Sequence, residues 1–221
     1  IRVEAPSTDS AYAGVDTALC NQGGTLLQAT PTTNSIGRWL QSSAQSAVQV
    51  VIADTTDPNT AVSGLVPGNS YAFVWELVNG RCGAYDSDTV VITIDELPND
   101  MANAGGNLTC TPDSAVLSGS VPMMGTVLWT SVEGATIRNP QSVATRVTNF
   151  PVDTNTFIYR FSNGACIDYS VDTVYVIRDD VRPILGADSF NIVPNGLPSR
   201  LDVITNDVLP PRWQISQVTT V

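Results

Sequence analysis

Tyr71–Cys82 reads YAFVWELVNGRC, and further along Asn155–Cys166 reads NTFIYRFSNGAC. In the first stretch Tyr71, Phe73, Trp75 and Leu77 alternate with Ala72, Val74, Glu76 and Val78. In the second, Phe157, Tyr159 and Phe161 alternate with Ile158 and Arg160. A period of two marks a strand with one face in a core. Asn79-Gly80 and Asn163-Gly164 then predict the two positive-φ positions of a tight hairpin turn. A cysteine stands two residues after each glycine. Two such units predict two domains built on one plan.

Working outward, a shift of 84 places Pro67 on Pro151, Phe73 on Phe157, Trp75 on Tyr159, Cys82 on Cys166 and Asp88-Thr89-Val90 on Asp172-Thr173-Val174. A shift of 90 places Cys20 on Cys110 and Trp39 on Trp129. The first copy therefore carries six extra residues, expected around Ala47–Asp57. With a shift of 91, Ala13-Gly14 falls on Ala104-Gly105 and Ile1–Glu4 on Ile92–Asp95, so Ile1–Glu4 reads as the last strand of a preceding copy. An internal repeat of this length implies an array of folded modules.

The expected division is residues 1–8 as the end of a preceding repeat, 9–96 and 97–180 as two sandwiches, and 184–221 as the opening of a third, different β-domain. Each repeat should hold about seven short strands, separated by Gly, Pro and Asn/Asp turns. In the first they are expected near Leu19, Thr25–Ala29, Arg38–Gln41, Val48–Ile52, Ala61–Leu65, Tyr71–Val78 and Thr89–Ile94. In the second they are expected near Leu108, Ala115–Ser118, Val127–Ser131, Thr136–Arg138, Thr145–Thr148, Phe157–Ser162 and Thr173–Ile177. Trp39 and Trp129, in mid-strand, should fill the two cores as a central tryptophan does in immunoglobulin-like sandwiches. The linkers Asp95–Asp100 and Arg178–Pro183 are short, acidic and proline-bearing, which limits bending between neighbours. The fold class is all-β: tandem immunoglobulin-like sandwiches with one disulfide each.

Composition excludes several functions. The net charge is −11 and the pI about 4.1, so nucleic acid and anionic lipid find no basic footprint. Histidine and lysine are both absent. That removes Ser-His-Asp and Cys-His sites, HExxH helices, Schiff bases and P-loops. No run of 18 apolar residues exists to insert into a membrane. The reading is not an enzyme.

The four cysteines, Cys20, Cys82, Cys110 and Cys166, divide two per repeat and form no CxxC. One intradomain disulfide each, Cys20–Cys82 and Cys110–Cys166, is expected, and with it an exported protein. Each bridge would close a loop of roughly 60 residues, worth on the order of 4 kcal/mol.

AYAGVDTALC and ANAGGNLTC, then GRWLQSS and VLWTSVEGATIRNP, then GLVPGNSYAFVWELVNGRC resemble the PKD-like and immunoglobulin-like repeats of giant secreted bacterial surface proteins. These include the gliding-motility adhesins exported by the type IX system in the Bacteroidota. GADSFNIV and LDVITNDVLP resemble the opening of the cadherin-like repeats of the same kind of protein. The resemblance implies an extracellular adhesin, stalk or filament segment with no catalytic residues and no cofactor. Its partners would be neighbouring repeats, copies of itself in a fibre, and a cell-surface or glycan target. The competing reading makes these modules spacers or weak sugar binders attached to a secreted polysaccharide hydrolase.

Four candidate sites stand against structural readings. The acidic linkers and Asn206-Asp207 resemble calcium-binding junctions, but the further acidic residues such junctions need are missing, which favours solvated linkers. Glu4, Glu76, Glu96 and Glu133 are the only glutamates, and none lies in a pocket-forming stretch that would pair carboxylates for glycoside hydrolysis. Tyr12, Tyr85, Tyr169 and Trp213 lie off the inward alternation and could stack on sugars, although the recurrence of Tyr85 and Tyr169 points to structure. Asn107-Leu-Thr is a sequon. Asp16-Thr17-Ala18, Asp88-Thr89-Val90, Asp113-Ser114-Ala115 and Asp172-Thr173-Val174 resemble the O-glycosylation motif of exported Bacteroidota proteins, with two of the four expected inside strands.

Overall fold

The structure, a computed structural model, describes residues 8–42, 49–79, 83–111, 113–178 and 187; the side chains of Cys110 and Thr111 are not among those described. The expected strand Ile1–Glu4 and the third β-domain at 184–221 fall outside these residues, Ala187 apart.

The described residues form strands and no helix. The first seven strands are β1 (Thr17–Cys20), β2 (Gly24–Leu26), β3 (Ile36–Ser42), β4 (Val51–Ile52), β5 (Ala61–Ser63), β6 (Asn69–Val78) and β7 (Ala84–Asp95). The second seven are β8 (Leu108–Thr111), β9 (Ser114–Ser118), β10 (Thr126–Ser131), β11 (Thr136–Ile137), β12 (Ala144–Thr148), β13 (Asp153–Asn163) and β14 (Cys166–Arg178). One sheet of the first unit runs β1-β7-β6-β3 and the other β2-β5-β4; the second unit repeats this as β8-β14-β13-β10 and β9-β12-β11. These are two immunoglobulin-like sandwiches of identical topology.

The alternation seen in sequence places the cores. Tyr71, Phe73, Trp75 and Leu77 on β6 are buried with Trp39 on β3 and with Val90, Ile92 and Ile94 on β7. Phe157, Tyr159 and Phe161 on β13 are buried with Trp129 on β10 and with Val174 and Val176 on β14. Trp39 and Trp75 meet at 5.1 Å between ring centres, and Trp129 stacks on Tyr159 at 4.2 Å. Trp39 and Trp129 donate their indole N–H groups across the sandwich, Trp39 to the Asp57 carbonyl and Trp129 to the Ser142 carbonyl, both at 3.1 Å.

The hairpin turn differs from expectation. Asn163 pairs with Cys166, so the two turn residues are Gly164 and Ala165, and within the turn only Gly164 has positive φ, at 52°. A glycine leading a two-residue loop has the φ pattern of a type II′ turn, which suits strand twist as well as Asn-Gly does. Position 163 stays in the strand because its side chain is held elsewhere, as described below. In the first sandwich Val78 pairs with Ala84 and the Asn79 N–H donates to the Gly83 carbonyl; residues 80–82 lie outside the description.

The six extra residues also divide differently. Ala53 donates to Ala61 as Arg138 donates to Arg146, a shift of 85. Five of the extra residues therefore precede Ala53, and one lies between Val62 and Pro67, so Asp54–Asp57 is not inserted.

The parallel pairing of β1 with β7 decides where function can sit. Thr17 lies beside Ile92 and Cys20 beside Asp95. β8 pairs with β14 in the same parallel sense, Leu108 beside Val176 and Thr111 beside Arg178. The first-strand cysteine thus lies at the far end of the last strand, away from the hairpin.

Candidate interdomain interface

The expected intradomain bridges are not formed: Cys20 is bonded to Cys166, with their Cα atoms 4.7 Å apart. Strand length explains the correction. Cys20 sits beside Asp95, whereas Cys82 is two residues from Ala84, at the opposite end of the 12-residue β7. At ~3.3 Å per residue those ends are about 36 Å apart, and a disulfide needs Cα atoms within about 7 Å. In the second sandwich Cys166 opens the 13-residue β14 and Cys110 lies beside its close, which excludes Cys110–Cys166 for the same reason. Cys82 lies outside the described residues.

The whole tip of the β13–β14 hairpin is engaged with the base of the first sandwich. The Ala165 N–H donates to Asp95 Oδ2 at 2.6 Å, and the Asn163 amide nitrogen donates to the Glu96 carbonyl at 2.8 Å. Asp95 also accepts the Asn21 N–H at its carbonyl, which fixes the chain leaving β1 beside the chain leaving β7. A Cβ at position 164 would lie 2.1 Å from Asp95 Oδ2, so Gly164 is required by contact as well as by φ. A hydrogen bond to a carboxylate contributes roughly 1.5–3 kcal/mol, and here the disulfide holds donor and acceptor in place.

Asp95 was expected to open the acidic linker Asp95–Asp100 and instead ends β7, with its carboxylate turned onto the next module. Its role was legible only through the β1–β7 register. Among the described residues no cluster of three metal-ligating side chains occurs, at this junction or elsewhere.

The remaining candidates separate into structural roles. Glu76 pairs with Arg38 across β3 and β6, its Oε2 accepting from Arg38 Nε at 2.6 Å. Glu133 accepts the Thr156 N–H at 2.7 Å, and Glu96 faces Gly68, so these carboxylates do not converge. Tyr85 donates to the Asp9 carbonyl at 3.2 Å, and Tyr169 donates to the Asp100 carboxylate at 3.1 Å while packing on Phe161. Tyr12 is half exposed beside a shallow cleft of about 260 Å³, which recurs at 130 Å³ beside Ala104 and Gly105. Trp213 lies outside the described residues. Asn107 accepts the Tyr175 N–H. All four hydroxyls of the Asp-Ser/Thr motifs lie in strands, in β1, β7, β9 and β14, rather than the two expected. Three of the motif aspartates hold backbone: Asp16 accepts from Val91, Asp88 from Ala13 and Asp172 from Ala104.

Local hydrogen bonds and burial shift several acid–base equilibria. Four donors from the Thr33–Ser35 loop, led by the Thr33 hydroxyl, hold Asp9 well below the usual carboxylate range. The Thr56 N–H lowers Asp54 and the Ala11 N–H lowers Asp86. Burial, reinforced by Asp100, pushes the Tyr169 phenol up to about 12.

No family model and no curated protein matches the sequence. Among solved structures, the chain is similar to the fibronectin(III)-like modules of Clostridium thermocellum CbhA, at 10% identity and a TM-score of 0.47, over 76% of this chain and 93% of that one. It is similar to extracellular domains 3–5 of Drosophila OTK at 11% identity and 0.46, over 75% and 59%. It is also similar to the PKD domain of the KIAA 1837 protein at 24% identity and 0.31, over 42% and 96%.

Proposed function

We propose that this chain is a structural segment of an extracellular surface adhesin or filament, in which the sandwiches act as spacers and packing modules. The observation that carries this reading is the Cys20–Cys166 bond between modules, reinforced by Asp95 and Asn163. A disulfide persists in oxidising compartments, which supports export. A bond between modules resists bending and pulling apart, where one within a module would only stabilise that module. The narrower assignment, to a gliding-type adhesin of the type IX system, is supported by the resemblance of the repeat sequences.

Small-angle scattering of the chain in oxidising and reducing buffer tests the proposal. A stiff spacer keeps one maximum dimension while oxidised and gains a spread of interdomain angles on reduction. Equal flexibility in both states would remove the mechanical reading. Negative-stain imaging of the native surface protein then separates thin single-module strings from thick packed fibres.

A further inference from the structure

The chain has three methionines, Met101, Met123 and Met124, and the fold gathers all of them at one corner of the second sandwich. There the segment entering the module runs antiparallel to the loop before β10. The Ser120 N–H donates to the Asn103 carbonyl at 2.8 Å, and the Met123 N–H donates to Asp100 Oδ2 at 2.7 Å. Met101 therefore lies alongside Pro122 and Met123, with Met124 next in the chain. Methionine ordinarily fills gaps in a core. Here Met101 is 80% exposed, Met123 73% and Met124 40%, with Val121 beside them at 75%. The matching corner of the first sandwich is polar. The shift of 91 sets Met101 on Ser10, and the shift of 90 sets Met123-Met124 on Thr33-Asn34. Ser10 donates to Asp86, and Thr33 and Asn34 close onto Asp9, the counterpart of Asp100. Three polar positions have thus become methionine together, and core packing does not account for it, because all three side chains face solvent.

We propose that Met101, Met123 and Met124 form a binding site for a soft monovalent cation, Cu(I). Thioether sulfur is a soft donor that selects Cu(I), whereas calcium and magnesium take oxygen. Each sulfur sits on a side chain with three rotatable bonds. From neighbouring stretches of backbone the three can turn onto one ion, and no core packing holds them apart. Asp100 stands at the centre of the corner, its two carboxylate oxygens accepting from the Met123 N–H and the Tyr169 hydroxyl. Its negative charge offsets that of a cation held by three neutral sulfurs. The net charge of −11 draws cations to the chain as a whole.

A thioether carries no proton to lose, so the site holds its ion in mildly acidic buffer, where thiol and imidazole sites compete with protons. The ion binds as Cu(I) and no electron is transferred. This inference goes beyond the spacer reading, which stands whether or not the corner takes an ion.

The test uses the whole chain, oxidised, with any free thiol blocked by N-ethylmaleimide and with ¹³C at the methionine methyl groups, which gives three signals in a carbon–proton correlation spectrum. The probe is Ag(I), a soft monovalent ion that does not change oxidation state, added as its nitrate in mildly acidic buffer. The expected result is that all three signals move together and saturate at one ion per chain. Cu(I), supplied as its acetonitrile complex under nitrogen, should repeat the response, and calcium should leave the signals in place. Met101→Leu conserves volume at an exposed position, so the fold is kept. In that variant the two remaining signals should no longer saturate at one equivalent. Signals that stay still, or that move at different silver concentrations, would overturn the proposal. So would an unchanged response of Met123 and Met124 in M101L. A response to silver without one to Cu(I) would overturn the assignment to copper.

Discussion

Trp75 and Tyr159 occupy the same place in the two sandwiches, and only one of them satisfies its polar atom. The Tyr159 hydroxyl donates to the Ser120 carbonyl at 2.8 Å; the Trp75 indole N–H is buried and finds no partner among the described residues. The space for each ring comes from a different neighbour. Trp75 lies over Gly37 on β3, where the second sandwich has Val127. Tyr159 lies over Gly119, where the first sandwich has Ala29. The same core volume is partitioned in two ways. The conserved requirement is a flat ring filling one site, and the polar handle is secondary to packing.

Breaking the junction that couples the two sandwiches should have the largest effect. With one module folded, the other unfolds as a closed loop of roughly 70 residues. C166S should therefore cost each module on the order of 4 kcal/mol, read as a fall in both denaturant midpoints. Gly37→Val should come next. A Cβ there already lies 2.0 Å from the Trp75 ring, and overpacking of this kind costs about 1–3 kcal/mol or more. Adding Trp75→Tyr and Ala29→Gly should recover most of that loss by copying the second core, and no recovery would show that the two cores are not interchangeable. Y159F should cost about 1 kcal/mol, because it leaves the Ser120 carbonyl without its donor, while the first sandwich stays unchanged.

The smallest expected difference is one of pH. Asp9, Asp54 and Asp86, all lowered, lie in the first sandwich; the corresponding positions in the second are Asp100, Asn139 and Ser170. A lowered carboxylate contributes stability above its unfolded value of about 3.9, and that contribution is lost as pH falls through the folded value. Tyr169 and Tyr159, both raised, lie in the second sandwich. Their contribution is full below about pH 10 and is lost as pH rises through the folded values. Acid should weaken the first sandwich earlier and alkali the second. Two resolved transitions in thermal scans across pH would report this, and transitions that moved together at both extremes would refute it.

The period-two alternation of Tyr71–Leu77 and Phe157–Phe161 was enough to place two strands and their inward faces, because that signal is local to the chain. The repeat shifts likewise placed Trp39 and Trp129 in matching cores. The turn at Gly164-Ala165 was displaced by one residue from the expected Asn163-Gly164. Asn163 spends its side-chain amide on Glu96 of the preceding module, a contact no local pattern reveals. The Asp-Thr motifs recur because Asp88 and Asp172 each fasten an alanine N–H some seventy residues away.

The sequence by itself determined two all-β repeats, their aromatic cores, an acidic surface and a chain without histidine or lysine. Only the tertiary structure decided which cysteines meet. Alternation, turn signals and repeat shifts report what each segment forms, whereas the partner of a cysteine depends on the direction in which β1 runs beside β7. That direction is a pairing between residues about 75 apart, and it sends Cys20 to the base of its module and into the next one.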